Sequence, residues 1–499
     1  MFSVISGHSA TPHPAAPGGP GAGRRAVLDR AVRGAVRAGL LDAPAPVVGL
    51  LDVDGIRGTV AGLHAAFDTP APVLHTFAAK ACGLVPVLRL LADAGMGCEV
   101  ASPGELEQAL AAGFTPDRLV FDSPAKTTGE LRLALDRGIA VNLDNWQELE
   151  RVDALLAARP DDRRTPAGPV GLRVNPQVGA GSIGAMSTAT DTSKFGIALR
   201  DPGAEDAVVE AFAARPWLTR LHAHVGSQGC PLPLIAAGIR AAYDLAERIN
   251  AAAGRRQIDS LDIGGGLPVN FAGDEMSPTY GDYVARLRED VPGLFDGRYA
   301  LVTEFGRSLL AKHGLILTRV EYTKSAGGRP IAITHAGAQV ASRTVFMPAS
   351  WPLRVGVFDA DGAPKSGPAV VQDVAGPCCF AGDLTAQARE LPLLAPDDVV
   401  ALYDTGAYYF SSHFAYNSLP RPAVYGFRTR DDGTDGEVRF ALVREAQTLA
   451  EIVAESGAQY ADSLVGLAAE AAAASTPDSV PVRAADGAEP PKEVPACAS

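Results

Sequence analysis

No two of the six cysteines, at 82, 98, 230, 378, 379 and 497, stand in a C-x-x-C spacing, and they form no regular framework. That disfavours a zinc ribbon or a disulfide scaffold and predicts a reduced, cytoplasmic setting. Basic residues are in deficit, 44 against 57 acidic, so the net charge of -13 repels phosphate backbones and anionic lipid surfaces. Binding to nucleic acid is not expected. The chain also lacks an uninterrupted apolar run of about 18 residues. Its first residues, MFSVISGHSATPHPAAPGGPGAGRR, lack the basic start and apolar stretch of an export signal. No membrane association is predicted. What the 499 residues do contain is 47% hydrophobic side chains, enough to bury a substantial core.

Residues 1–24 and 475–499 are rich in Pro, Gly, Ala and Ser or Glu and read as disordered tails. Between them short apolar runs alternate with helix-patterned stretches: PVVGLLDV, VLHTFAAK, RLVFDSP, GIAVNLD, VGLRVNP, RLHAHVGSQ, SLDIGGG and ALVTEFG. This alternation predicts parallel strands joined by helices. Eight or so units over residues 44–310 fit a (β/α)8 barrel, although a doubly wound sheet gives the same pattern. Beyond 310 strand-like runs dominate, so residues 311–474, together with 25–43, are expected to form a mostly β domain. The segment AEIVAESGAQYADSLVGLAAEAAAA is helical in composition and is expected to close that fold.

Several polar residues fall where predicted strands end, the active-site face of a barrel. Lys80 follows VLHTFAA, where burial would lower its pKa and make it an imine-forming amine, although a single lysine is more often a surface charge. His222 and His224 are two apart and share one side of a strand, as a metal pair or as a stacked or hydrogen-bonded imidazole. Gly264, Gly265 and Gly266 follow a strand, where backbone N–H groups can approach a phosphate or simply make a tight turn. Glu304 and Arg307 place a carboxylate and a guanidinium at another strand end, a recognition pair or a plain ion pair.

The order and wording of these blocks resemble the pyridoxal-phosphate-dependent decarboxylases of the alanine racemase-like fold, nearest their diaminopimelate decarboxylase branch. The resemblance spans about 44–428 and rests on FAAKA (77–81), CEVASPGEL (98–106), SKFGI (193–197), HAHVGSQ (222–228) and LDIGGGLPV (261–269). EFGRS (304–308), GPCCFAGD (376–383) and GAYYFSSHFAYNSLPRPA (406–423) complete it. It implies a PLP-binding (β/α)8 barrel plus a C-terminal β domain. It also implies that Lys80 forms a Schiff base with pyridoxal 5'-phosphate and that His224 stacks on the cofactor ring. Ser227, Gly264, Gly265, Gly266, the backbone from Glu304 through Phe305, Gly306 and Arg307, and Tyr408 would hold the phosphate. Glu304 would pair with the pyridinium nitrogen. Cys379, supplied by the partner subunit, would protonate the product carbon, which implies a homodimer with shared active sites; Cys378, its strand neighbour, would face the other way as buried filler.

The substrate end departs from the family. Phe380 stands where a Glu or Asp normally receives a distal ammonium, a loss of about 1.5 to 3 kcal/mol for a diamine. A cation–π contact with that ring would return about 0.5 to 2 kcal/mol of it. Arg307 and Arg343 match arginines that take a substrate carboxylate, with Tyr408 beside them, but Met347 replaces a tyrosine, Phe305 a proline and Cys82 an asparagine. The expectation is an α-decarboxylase of an amino acid or amino-acid conjugate with a specialised substrate, such as a siderophore or natural-product intermediate. Genuine diaminopimelate decarboxylation to L-lysine is the first alternative, and a catalytically silent regulatory homologue the second.

Overall fold

A computed structural model describes residues 22–42, 45–430 and 437–474. The tail expected at 475–499 lies outside these residues, as does 1–21 of the tail expected at 1–24; Ala22 already opens a helix, Ala22–Arg37. Among the described residues, eighteen strands form two sheets of nine. Strand β1 (Val47–Asp52) comes first in the chain. Next follow β2 (Val73–Ala78), β3 (Gly97–Val100), β4 (Leu119–Asp122), β5 (Ala140–Leu143) and β6 (Val170–Asn175). After the two-residue β7 (Ile197–Ala198) come β8 (Leu218–His222), β9 (Ser260–Asp262) and β10 (Ala300–Phe305).

Eight of these, β2 to β6 and β8 to β10, run parallel in a ring that closes where β10 pairs with β2 and β5 with β6. The doubly wound alternative falls: an open sheet has two edges, and this one has none. Most ring positions are buried, which is why the strands read as near-continuous apolar runs without alternation. The covering helices carry their own start and stop signals. In Thr128–Arg137, Thr127 Oγ1 accepts from Glu130 N at 3.2 Å, the Glu130 side chain returns to Thr127 N, and Gly138 ends the helix at φ 70°.

The second sheet holds β11 (Gly314–Ala326), β12 (Arg329–Thr334), β13 (Val355–Phe358), β14 (Ala369–Ala375) and β15 (Leu384–Pro392). It also holds β16 (Val399–Tyr403), β17 (Ala423–Thr429) and β18 (Val438–Arg444). Its ninth member is β1, which lies between β11 and β17 with Leu50 opposite Leu315 and Tyr425. This corrects the expected boundary at residue 44. PVVGLLDV was counted with the barrel because alternation with helices cannot reveal which sheet a strand joins; the barrel starts with the helix Val53–Ala66.

Among the described residues, 448–474 form a compact unit of their own. The segment expected to close the fold is helical, at Leu449–Glu455 and Ser463–Ala474, but Leu449 and Leu464 are 72% and 76% exposed. Its composition predicts helix correctly, because alanine-rich segments have high helix propensity. No described helix is long and apolar enough to cross a membrane.

Candidate active site

Lys80 occupies a single 3-10 turn, Ala79–Ala81, at the carboxyl end of β2. The register of β2 against β3 sets Ala78 opposite Glu99, and Lys80 Nζ donates to Glu99 Oε2 at 2.7 Å. Glu99 is buried while 46% of the lysine side chain is open at the barrel mouth. Burial works against the ammonium, but the carboxylate of Glu99, with Tyr408 and Glu304, outweighs it and holds the amine above its ordinary range. Burial likewise pushes Glu99 up to about 8 against the pull of Lys80.

The floor of the mouth is polar although every strand around it is apolar. Glu304 on β10 stands 3.5 Å from His222 Nε2 and 3.8 Å from His224 Nδ1 through Oε2; its Oε1 is buried without a hydrogen-bond partner. Burial and the neighbouring Asp122 charge push its carboxyl up to about 7. Asp122, Glu304 and His222 bring their polar atoms within 4.8 Å of one another. Against its burial, Asp122 is held below the carboxylate range by Arg173, whose Nη1 donates to it at 2.9 Å. Asn142 Nδ2 donates to Asp262 Oδ2 at 2.9 Å, and Asp262 Oδ1 accepts from Gly264 N at 3.1 Å, which fixes the start of the glycine turn.

Gly265 N donates to His224 Nδ1 at 3.2 Å, so that nitrogen carries no proton. Burial, reinforced by Arg173, holds the imidazole neutral. A Cβ on Gly265 would stand 2.2 Å from the Glu304 carbonyl oxygen, and one on Gly266, at φ 99°, 2.3 Å from that of Gly226. Only glycine lets the turn, the β10 end and the loop bearing Ser227 approach this closely.

Arg307 follows β10, is buried, and packs its guanidinium 4.4 Å from the ring centres of both Tyr408 and Trp351. Arg343 lies 4.3 Å from the same Tyr408 ring. Burial pulls Arg307 down to about 10, and its Nε has no partner. Tyr408 takes φ 68°, rare for a bulky residue, and donates its N–H to Ala81 O at 2.7 Å; Ser411 Oγ donates to Lys80 O at 3.1 Å. The tyrosine loop is thereby tied to the lysine turn.

The remaining expected residues lie apart. The Phe305 ring is core, edge-on to Tyr280 at 5.0 Å and Tyr283 at 5.4 Å, so only its backbone borders the site. Met347 is exposed and ends the helix Ala338–Phe346. Cys379 is exposed and bonds Asn417; Phe380 stacks on Phe346 at 5.6 Å and meets Tyr416 edge-on at 5.3 Å. Among the described residues no hydrogen bond or ring contact joins either to Lys80, His224 or Glu304 of the same chain. Cys378 is buried against Gln339, but the two cysteines sit on a bend, not a strand, because the Asp383 carboxylate accepts from both Cys378 N and Ala338 N. Sequence reasoning missed Glu99, Asp122, Asn142, Arg173, Asp262 and Trp351. For the first five the signal was a charged or amide residue near the end of a mostly apolar strand.

A closed parallel barrel with an amine-bearing side chain at one strand end, facing a buried carboxylate with a free oxygen, is the architecture of a pyridoxal-phosphate barrel enzyme. The unpartnered Glu304 Oε1 and the open Lys80 amine fit that cofactor, one toward a protonated ring nitrogen and one toward an aldehyde. Residues 55–311 match the family model described as pyridoxal-dependent decarboxylase, pyridoxal binding domain, and the chain belongs to this family of pyridoxal-phosphate-dependent carboxy-lyases. It is 35% identical over 387 residues to the diaminopimelate decarboxylase of Pseudomonas fluorescens, covering 77% of this chain and 86% of that one. With the enzyme of that name from Methanothermobacter thermautotrophicus the identity is 31% over 414 residues, covering 81% and 90%. The crystal structure of a point mutant of Helicobacter pylori diaminopimelate decarboxylase, complexed with L-lysine, superposes with a TM-score of 0.72 at 25% identity, covering 84% and 99%.

The buried carboxyls make a pH signature. Groups raised by folding stabilise at low pH and lose that contribution as pH climbs through their folded values, here about 7 for Glu304 and about 8 for Glu99. The buried histidines and Lys312 work the other way: an unfolded imidazole is still half protonated at pH 6.5, and burial pulls Lys312 down to about 8, so both add stability as pH rises and the carboxyl contribution is read as a difference between variants. Between pH 6.5 and 8 the melting temperature of cofactor-free Glu304→Gln is expected to fall less, or rise more, than that of wild type, by about one degree. Calorimetry at the two pH values checks it.

Proposed function

We propose that the enzyme releases carbon dioxide from the α-carbon of an amino acid bearing a second carboxylate at its far end, with diaminopimelate the leading substrate. The observation that carries this is the pair of guanidiniums, Arg307 and Arg343, packed on one Tyr408 ring with Arg307 Nε buried and unpartnered. Two cations held on one ring call for an anion, and the relatives named above act on a dicarboxylate.

In this reading Lys80 holds the cofactor through its amine, and Glu99 keeps a proton at Nζ until it is needed. His224, neutral, lies against the cofactor face. Ser227, the 264–266 glycines, the 305–307 backbone and Tyr408 hold the phosphate. Glu304 Oε1 keeps a proton on the ring nitrogen. Bound pyridoxal phosphate supplies the sink for the electron pair left on the α-carbon when carbon dioxide departs. Cys379 then hands a proton to that carbon. It is exposed and bonded away from Lys80 in its own chain, which supports a homodimer in which each copy completes the other's site.

Release of carbon dioxide from diaminopimelate, L-lysine, L-ornithine and 2-aminopimelate, which lacks the second amine, tests the proposal. Diaminopimelate is expected to exceed L-lysine and L-ornithine in kcat/KM by about 10-fold or more, the worth of a charge-assisted contact. Equal rates for L-ornithine would overturn it. The stacked Phe380 and Phe346 favour a second reading, a substrate whose far end carries no free ammonium; 2-aminopimelate would then outrun diaminopimelate. Phe380→Glu is expected to raise kcat/KM for diaminopimelate relative to 2-aminopimelate by about 10-fold, read from the same assay.

A further inference from the structure

Next to the catalytic mouth the barrel side carries a second cavity, of about 450 Å³, between the helix Val53–Ala66 and the stretches 267–281 and 308–313. Lys80, Glu304, Arg307 and Tyr408 do not line it. Its walls are mainly apolar, among them Leu267, Val269 and Met276. One wall is a glycine row: Gly55, Gly58 and Gly62 fall at i, i+3 and i+7, on one face of the helix. Nothing lies within 4 Å of where a Cβ on Gly58 or Gly62 would sit, so no close approach requires glycine there, and glycine opposes the helix. What Gly58 and Gly62 provide is open volume, whereas a Cβ on Gly55 would meet His313 Nδ1 at 2.3 Å.

The second observation is Arg24, which also lines the cavity. Its Nη1 stands 3.4 Å from His313 Nδ1, whereas Nε and Nη2 are buried with no hydrogen-bond partner. Those two N–H groups form one edge of the planar guanidinium, the edge that receives both oxygens of a carboxylate. None of the nearby acids Asp52, Asp274 and Asp404 bonds the Arg24 edge. Asp52 accepts from Gly55 N at 3.0 Å, and Asp404 is held by Arg354 at 2.9 and 3.0 Å and by Lys312 at 3.3 Å. Among the described residues no acceptor meets the Arg24 edge.

We propose that this cavity is a second ligand site, taking a small monocarboxylate with an apolar body: the carboxylate meets Arg24 Nε and Nη2, and the apolar part lies along the glycine row, Leu267 and Met276. Leu267 directly follows the glycine turn and Ser308 directly follows Arg307, and both border the cavity. An occupant therefore touches the backs of two segments that shape the catalytic site, and its presence is felt there as a changed substrate KM.

Titration calorimetry of the holoenzyme with hexanoate, and with hexan-1-ol as the uncharged control, tests this. Saturable hexanoate binding is expected, at least tenfold tighter than that of hexan-1-ol. Arg24→Gln should weaken hexanoate binding tenfold or more, and Gly62→Leu, which fills the open volume, should abolish it; Gly58→Leu is the second blocking variant should the first fail to fold. Each variant is expected to keep wild-type decarboxylation without hexanoate, and wild type alone to change its KM when hexanoate is present. Absence of hexanoate binding to wild type, or equal binding by wild type and the folded variants, which would put the ligand on the arginines of the catalytic site, overturns the proposal.

Discussion

Lys80→Ala is expected to lower kcat/KM by about 10³-fold or more and to remove the visible absorbance of covalently held cofactor. Among the described residues no other lysine is paired with Glu99 or Glu304. Lys126 is buried but committed to Glu148 at 2.9 Å and to the carbonyl of Asn142 at 2.8 Å. The fold should survive. Removing the ammonium leaves Glu99 buried without its 2.7 Å partner, but a carboxyl already pushed up to about 8 takes a proton near neutral pH, so little unpaired charge remains. Lys80→Arg separates the two roles: it keeps a cation beside Glu99 yet cannot hold an aldehyde, and is expected to be as inactive as the alanine variant. Melting curves close to wild type, with absorbance and turnover lost in both variants, are the expected result. Activity within tenfold of wild type in either would remove Lys80 from the chemistry.

The catalytic pair was legible because each member ends an apolar run, and apolar runs bounded by polar residues mark strand ends in a barrel. The floor was not. Glu99, Asp122, Asn142, Arg173 and Asp262 stand in five separate strands, and nothing local tells whether each faces a helix or the interior. That is decided when β10 pairs with β2, a contact spanning more than 220 residues, with Glu304 opposite Thr76. The same non-locality misled the reading of β1: its apolar run is compatible with either sheet, and its neighbours β11 and β17 lie about 270 and 380 residues downstream. At the cysteines a strand alternation was expected where the Asp383 carboxylate, by accepting two backbone N–H groups, makes a bend. A side chain that caps backbone from a distance leaves no periodicity to read.

Glu304→Gln is expected to lower kcat by about 10² to 10³-fold while changing substrate KM by less than about threefold. The amide is nearly isosteric and Oε1 has no protein partner to lose, so the barrel has no reason to rearrange. What changes is charge. A carboxyl pushed up to about 7 by burial and by Asp122 is poised to ionise when a cationic ring nitrogen arrives opposite it, and the ionised form then keeps the proton there. An amide cannot. Its neighbours cannot replace it: burial keeps His222 and His224 predominantly neutral, and Asp122 is bound to Arg173. Substrate affinity should be spared because, on the function proposed above, the far carboxylate is received by Arg307 and Arg343, which do not depend on Glu304. Glu304→Asp, which keeps the charge but shortens the reach, is expected to recover part of the rate. A glutamine variant with wild-type kcat, or an aspartate variant no better than glutamine, would mean that the charge at 304 does not govern the ring nitrogen.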